Sequence, residues 1–149
     1  MTGGNALAAV LALAAGLTAA AQVAIFARFG DRVGTFPAVA FSCLVTAVVA
    51  ALVLLVATRS LGGYATAAAA PRWMWLGAVG GTFIVITITW AAPRIGTFAT
   101  LALIIAGQLA LGTIIDRFGL FGLQQIPLTP YRIAGIILLV TGALLALKR

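Results

Sequence analysis

At 149 residues, with 64% hydrophobic and 7% charged side chains and a mean hydropathy of +1.23, the chain carries more apolar surface than a soluble domain of its size can bury. Nine Lys/Arg stand against two Asp/Glu, a net charge of +7, but the basic residues are dispersed between apolar runs and form no patch for a nucleic acid. With no His and a single cysteine, Cys43, the chain has no internal disulfide, almost nothing to hold a metal or a cofactor, and no nucleophile–base pair, so an enzyme is not expected.

Five apolar runs, each about the 20 residues that cross a bilayer as a helix, predict an all-α membrane protein with one transmembrane domain over 1–149. Span one is read over 5–27; no Lys or Arg precedes its apolar run from Ala6 to Ala21, so it reads as a retained helix and not a removable secretory signal. Ala8, Ala12, Gly16, Ala20 and Ala24 recur along it every four residues, a stripe that lets another helix approach closely. Span two covers 36–58, with Thr35 as its expected N-cap and Pro37 in its first turn. The connector 59–72 holds Gly62-Gly63 and Pro71 and reads as a surface loop.

Span three, 73–92, opens on Trp73 and Trp75 as headgroup-level anchors. Its Gly77 and Gly81 form a GxxxG, which can serve either a helix crossing in a dimer or a close contact within the subunit. Span four, 97–115, has Thr97 as its expected cap and Gln108 near its middle. The segment 116–129 is apolar for a loop, is broken at Gly119 and Gly122, and is expected to lie in the membrane interface. Span five opens at Thr129-Pro130, an N-cap followed by proline, and runs over 130–147 before Lys148-Arg149.

The turn before span two, Arg32-Val33-Gly34-Thr35-Phe36, returns before span four as Arg94-Ile95-Gly96-Thr97-Phe98, with four of five positions identical. The repeat runs in the same sense both times, so an inverted half has to come from a second chain. Five spans also divide the basic residues almost evenly: Arg28, Arg32, Arg94, Lys148 and Arg149 on one side, Arg59, Arg72, Arg117 and Arg132 on the other. Orientation follows an excess of Lys/Arg in cytoplasmic loops, and here the excess is one. Two readings follow: a chain that inserts both ways and pairs with an inverted copy, or one whose orientation is set by that single charge.

Gln108 is the only strongly polar side chain near the middle of a span, and the repeat superposes it on Thr46. It is a candidate substrate ligand, or a hydrogen-bonding tie between helices. Gln22, Thr46 and Trp90 are weaker candidates for the same cavity. Arg32 and Arg94, each just before an expected helix start, are candidates for an anion or a headgroup phosphate. No carboxylate lies within the predicted spans, which disfavours proton exchange against a cationic drug.

Trp73-Met74-Trp75-Leu76-Gly77, Ala92-Pro93-Arg94-Ile95-Gly96, Gly107-Gln108, Asp116-Arg117-Phe118-Gly119-Leu120-Phe121-Gly122 and Pro127-Leu128-Thr129-Pro130-Tyr131-Arg132 with Gly135 together resemble the YdcZ family of the drug/metabolite transporter superfamily. The resemblance implies a multi-pass, five-helix half-transporter of the cytoplasmic membrane, working as an antiparallel ten-helix dimer with itself or with a paired homologue. The first half departs from the pattern: Gln22 is present, but Phe26 replaces an expected Asn, and Ser42-Cys43 and Thr46 replace Ser-Phe and a downstream Gly. The expected function is movement of a small neutral or anionic metabolite by alternating access, with lipid, a second subunit and the substrate as partners. A non-transporting scaffold subunit and an exporter of the small-multidrug-resistance type are the alternatives.

Overall fold

The computed structural model describes residues 3–147, and every regular element among them is helical. Lys148 and Arg149, counted above for orientation, lie outside the described residues. Six α-helices follow in order: α1 (Gly3–Val33), α2 (Thr35–Thr58), α3 (Gly63–Ala68), α4 (Leu76–Ile95), α5 (Thr97–Phe118) and α6 (Pro130–Ala146). Single 3-10 turns at Arg72–Trp75 and Leu120–Gly122 precede α4 and follow α5.

Four helical segments are long and apolar enough to cross a membrane: Gly4–Val33, Thr35–Thr58, Arg72–Ile95 and Thr97–Phe118. The fifth expected span forms as α6, but its 17 residues give a helix of roughly 25 Å, short of a hydrocarbon core of about 30 Å unless the bilayer thins around it. At 31 residues α1 is the opposite case, about 46 Å long, enough to carry its last two turns, with Arg28, Asp31 and Arg32, to headgroup level.

Three expectations about the helix ends are corrected. Thr35 and Thr97 are not N-caps: the caps are Gly34 and Gly96, and neither helix start has a side-chain cap bond. The reason is that the glycine carbonyls already accept the first helical bonds, Ala38 N–H to Gly34 O and Thr100 N–H to Gly96 O, both 3.1 Å. The connector 59–72 is not all loop, because its Gly/Ala-rich middle closes into α3. Finally, α1 and α5 run past the apolar stretches that define them, so Asp31 and Asp116 lie inside helices. Thr129 does cap α6, its hydroxyl accepting from the Arg132 N–H at 3.4 Å with Pro130 following.

The chain divides into two compact units, one holding the chain up to Val23 and from Arg94 onward, the other Ala24–Pro93. In the second unit Phe29 of α1 meets Phe41 of α2 edge to face at 6.0 Å. Gly30 of α1 lies so close to α4 that a Cβ there would sit 2.5 Å from Thr89 Cγ2 and 3.4 Å from the Thr89 carbonyl oxygen. That carbonyl lacks its usual helical donor because residue 93, four positions on, is proline. In the first unit α5 and α6 pack against each other, joined by 119–129. Gly119 ends α5 in the left-handed conformation (φ 60°), its N–H bonded to Ile115 O, and Ile126 N–H returns to Asp116 O at 2.8 Å.

Candidate functional site

Most mid-helix hydroxyls are spent on their own backbone. Thr18, Ser42, Thr82, Thr87, Thr89, Thr100, Thr113 and Thr141 each donate to the carbonyl four residues earlier at 2.7 to 3.1 Å, which removes them as free donors. Thr46 is not among them: it is exposed and makes no such bond among the described residues. Gln108, its counterpart in the repeat, is likewise exposed and without a hydrogen-bond partner among the described residues. In both copies, then, the polar function is exposed and not spent on its own helix backbone.

Gln108 opens onto a groove of about 340 Å³ between α5 and α6. On α5, Gln108, Gly112 and Asp116 follow at intervals of four with Thr113 alongside; on α6, Arg132, Gly135, Ile136 and Leu139 face them. Antiparallel packing of the two helices puts Asp116 beside Arg132, and Arg132 Nη1 donates to Asp116 Oδ2 at 2.9 Å. Gln108 sits two turns further along α5, roughly 12 Å from Asp116. Gly112 and Gly135 keep the groove open, since a Cβ on either would meet nothing within 4 Å. The groove thus joins three motifs far apart in sequence: Gly107-Gln108, the Asp116 segment, and Arg132 with Gly135.

Sequence reasoning singled out Gln108 but counted Arg132 only as a flanking charge and placed Asp116 in a loop. The available signal was the pair of helix ends: Asp116 in the last turn of one helix and Arg132 in the first turn of the next.

The other candidates are spread over the fold. Gln22 on α1 is exposed and makes no hydrogen bond among the described residues. Trp90 on α4 is 53% exposed. Arg32 and Arg94 lie in the last turns of α1 and α4, so each complements the negative end of its own helix, with the next helix starting three residues later. Arg28, Phe29, Asp31 and Arg32 line an open depression of about 490 Å³. A Cβ at Gly77 or Gly81 would meet nothing within 4 Å, so neither glycine is required by a close contact within its own unit. No group of His, Cys, Asp and Glu able to hold a metal occurs among the described residues.

Four membrane-length apolar helices define an integral membrane protein. Residues 7–145 match the family described as "Putative inner membrane exporter, YdcZ". The chain belongs to that family and is a multi-pass protein of the inner membrane. No curated protein and no solved structure matches it significantly.

Proposed function

We infer that the chain is half of a transporter, completed by an oppositely oriented copy or a paired homologue, and that it moves a small neutral or anionic metabolite by alternating access. One observation carries this reading: the four membrane-length segments bury only 6 to 17% of their apolar windows within the chain, and Gln108 and Thr46 turn polar groups outward from helices with no partner for them. A polar group facing hydrocarbon is costly, and a second subunit laid against those faces would enclose them in a shared cavity. Many secondary transporters place their site in this way, between two inverted repeats near the bilayer midplane.

In this reading Gln108 binds substrate, with Gln22, Thr46 and Trp90 lining the path. Arg32 and Arg94 serve anionic substrates or headgroup phosphates at the membrane surface, and Gly77 and Gly81 form the helix-crossing face of the dimer. Asp31 and Asp116 lie in the last turns of α1 and α5, which restores helical carboxylates, at helix ends and not mid-span, to the small-multidrug-resistance alternative. The pairing of Asp116 with Arg132, however, already neutralises the charge of the carboxylate beside the groove. Reconstitution in liposomes tests the proposal: saturable solute flux, lost in Gln108→Leu with the protein still monodisperse, supports it. A tight complex with a large membrane partner and no flux for any solute would show a scaffold instead.

A further inference from the structure

The groove between α5 and α6 holds more polar capacity than the protein uses. Arg132 spends one N–H on Asp116, and the remaining donors of its guanidinium, which carries five in all, have no side-chain or backbone acceptor among the described residues. Asp116 accepts at Oδ2 only, leaving Oδ1 free among the described residues. Two turns away the Gln108 amide is also unspent. The pair is about two-fifths and one-third exposed (41% and 34%), so both charges stay accessible from the groove, and Gly112 and Gly135 leave its floor without side chains.

A cation and an anion held side by side are complementary to a ligand that carries the opposite charges side by side. Such a ligand can lay a carboxylate on the guanidinium, where two parallel N–H bonds are available, and an ammonium on the free carboxylate oxygen. It leaves the site electrically neutral, which a lone cation or anion would not. We propose that this groove binds a zwitterion with adjacent ammonium and carboxylate groups, an α-amino acid or close analogue, whose side chain extends along α5 toward Gln108. The proposal rests on the transporter reading only for its purpose, since it concerns binding and can be measured without flux. The zwitterionic headgroup of phosphatidylethanolamine offers related chemistry, and the test separates it.

The full chain in phosphatidylcholine nanodiscs is titrated by calorimetry with glycine, L-alanine, L-leucine and L-phenylalanine. Each ligand is compared with its amine and its carboxylic acid, for leucine 3-methylbutylamine and 4-methylpentanoate. At least one zwitterion is expected to bind about tenfold or more tightly than both of its one-charge analogues, the worth of one charge-assisted hydrogen bond. In Asp116→Asn the acid should bind as well as the zwitterion, and in Arg132→Gln the amine should. A merely structural ion pair would instead weaken every ligand alike, or none. The proposal is overturned if no zwitterion outbinds its analogues in the wild-type protein, a comparison that does not depend on either variant folding. It is also overturned if adding phosphatidylethanolamine to the nanodiscs displaces the amino acid, which would assign the groove to lipid. Flux of another solute without zwitterion binding would leave the transporter reading standing and remove this one; zwitterion binding without any flux would do the reverse.

Discussion

Gly34 and Gly96 adopt the same backbone conformation, φ 92°, ψ 152° and φ 89°, ψ 153°, although 62 residues separate them. Each is the whole link between two long helices, and each lies in a region of φ/ψ space that is essentially closed to residues with a Cβ. Gly34→Ala and Gly96→Ala should therefore each destabilise the protein by about 1 to 3 kcal/mol, read as a lower midpoint of thermal unfolding in detergent. Neutral behaviour at both sites would show that the repeated turn is not held in this conformation.

The same two turns make a contrast with the start of α6. The Thr129 hydroxyl accepts a capping bond and those of Thr35 and Thr97 do not. Thr129→Ala should cost about 1 kcal/mol, whereas Thr35→Ala and Thr97→Ala should shift stability by no more than about 0.5 kcal/mol, as surface substitutions do. Thermal melts of the three variants decide it.

Gly30 and Thr89 test the packing of α1 on α4. Gly30→Ala brings a methyl group against Thr89 Cγ2, and overpacking of this kind costs about 1 to 3 kcal/mol. Adding Thr89→Ser removes that methyl while keeping the hydroxyl that bonds Val85 O at 2.7 Å. The double variant should thus recover most of the loss; additive losses would mean that the two residues do not touch.

Gln108 and Thr46 are equivalent in the repeat, and both lack a partner among the described residues, so removing either polar group should leave folding nearly unchanged. Gln108→Leu is expected to abolish flux, and Thr46→Val to reduce it severalfold, at wild-type levels of monodisperse protein. Loss of fold in either variant would reassign the side chain to helix–helix bonding.

Orientation and dimerisation can be read together. In a Cys43→Ser background, a cysteine at Ser60 should be labelled by an impermeant maleimide from both faces of the membrane in comparable amounts, as dual insertion requires. Gly77→Ile with Gly81→Ile should then weaken crosslinking between copies while the helix content by circular dichroism holds, because a Cβ at either position meets only open space. Labelling from one face only would leave a paired homologue as the source of the inverted half.

Span existence and the duplicated turn were legible from sequence because both are local: a bilayer dictates run length, and glycine at an extreme dihedral has no substitute. The ends of the helices were less legible. Charged residues such as Asp31 and Asp116 are poor in hydrocarbon but acceptable in a final helical turn at the interface, so α1 and α5 outlast their apolar runs. The helix α3 has no signature in the sequence, because its Gly62-Gly63 and Pro71 flanks carry the composition of a loop.

The sequence by itself determined that this is a helical membrane protein of the YdcZ family with a parallel internal repeat and Gln108 as its most conspicuous polar residue. Only the tertiary structure decided that Asp116 and Arg132 meet, that Gly112 and Gly135 open a groove beside them, and that Gly77 and Gly81 are left uncovered. Hydropathy acts along the chain, residue by residue, whereas a side-chain pair across two helices depends on their register and rotation, which are fixed by packing.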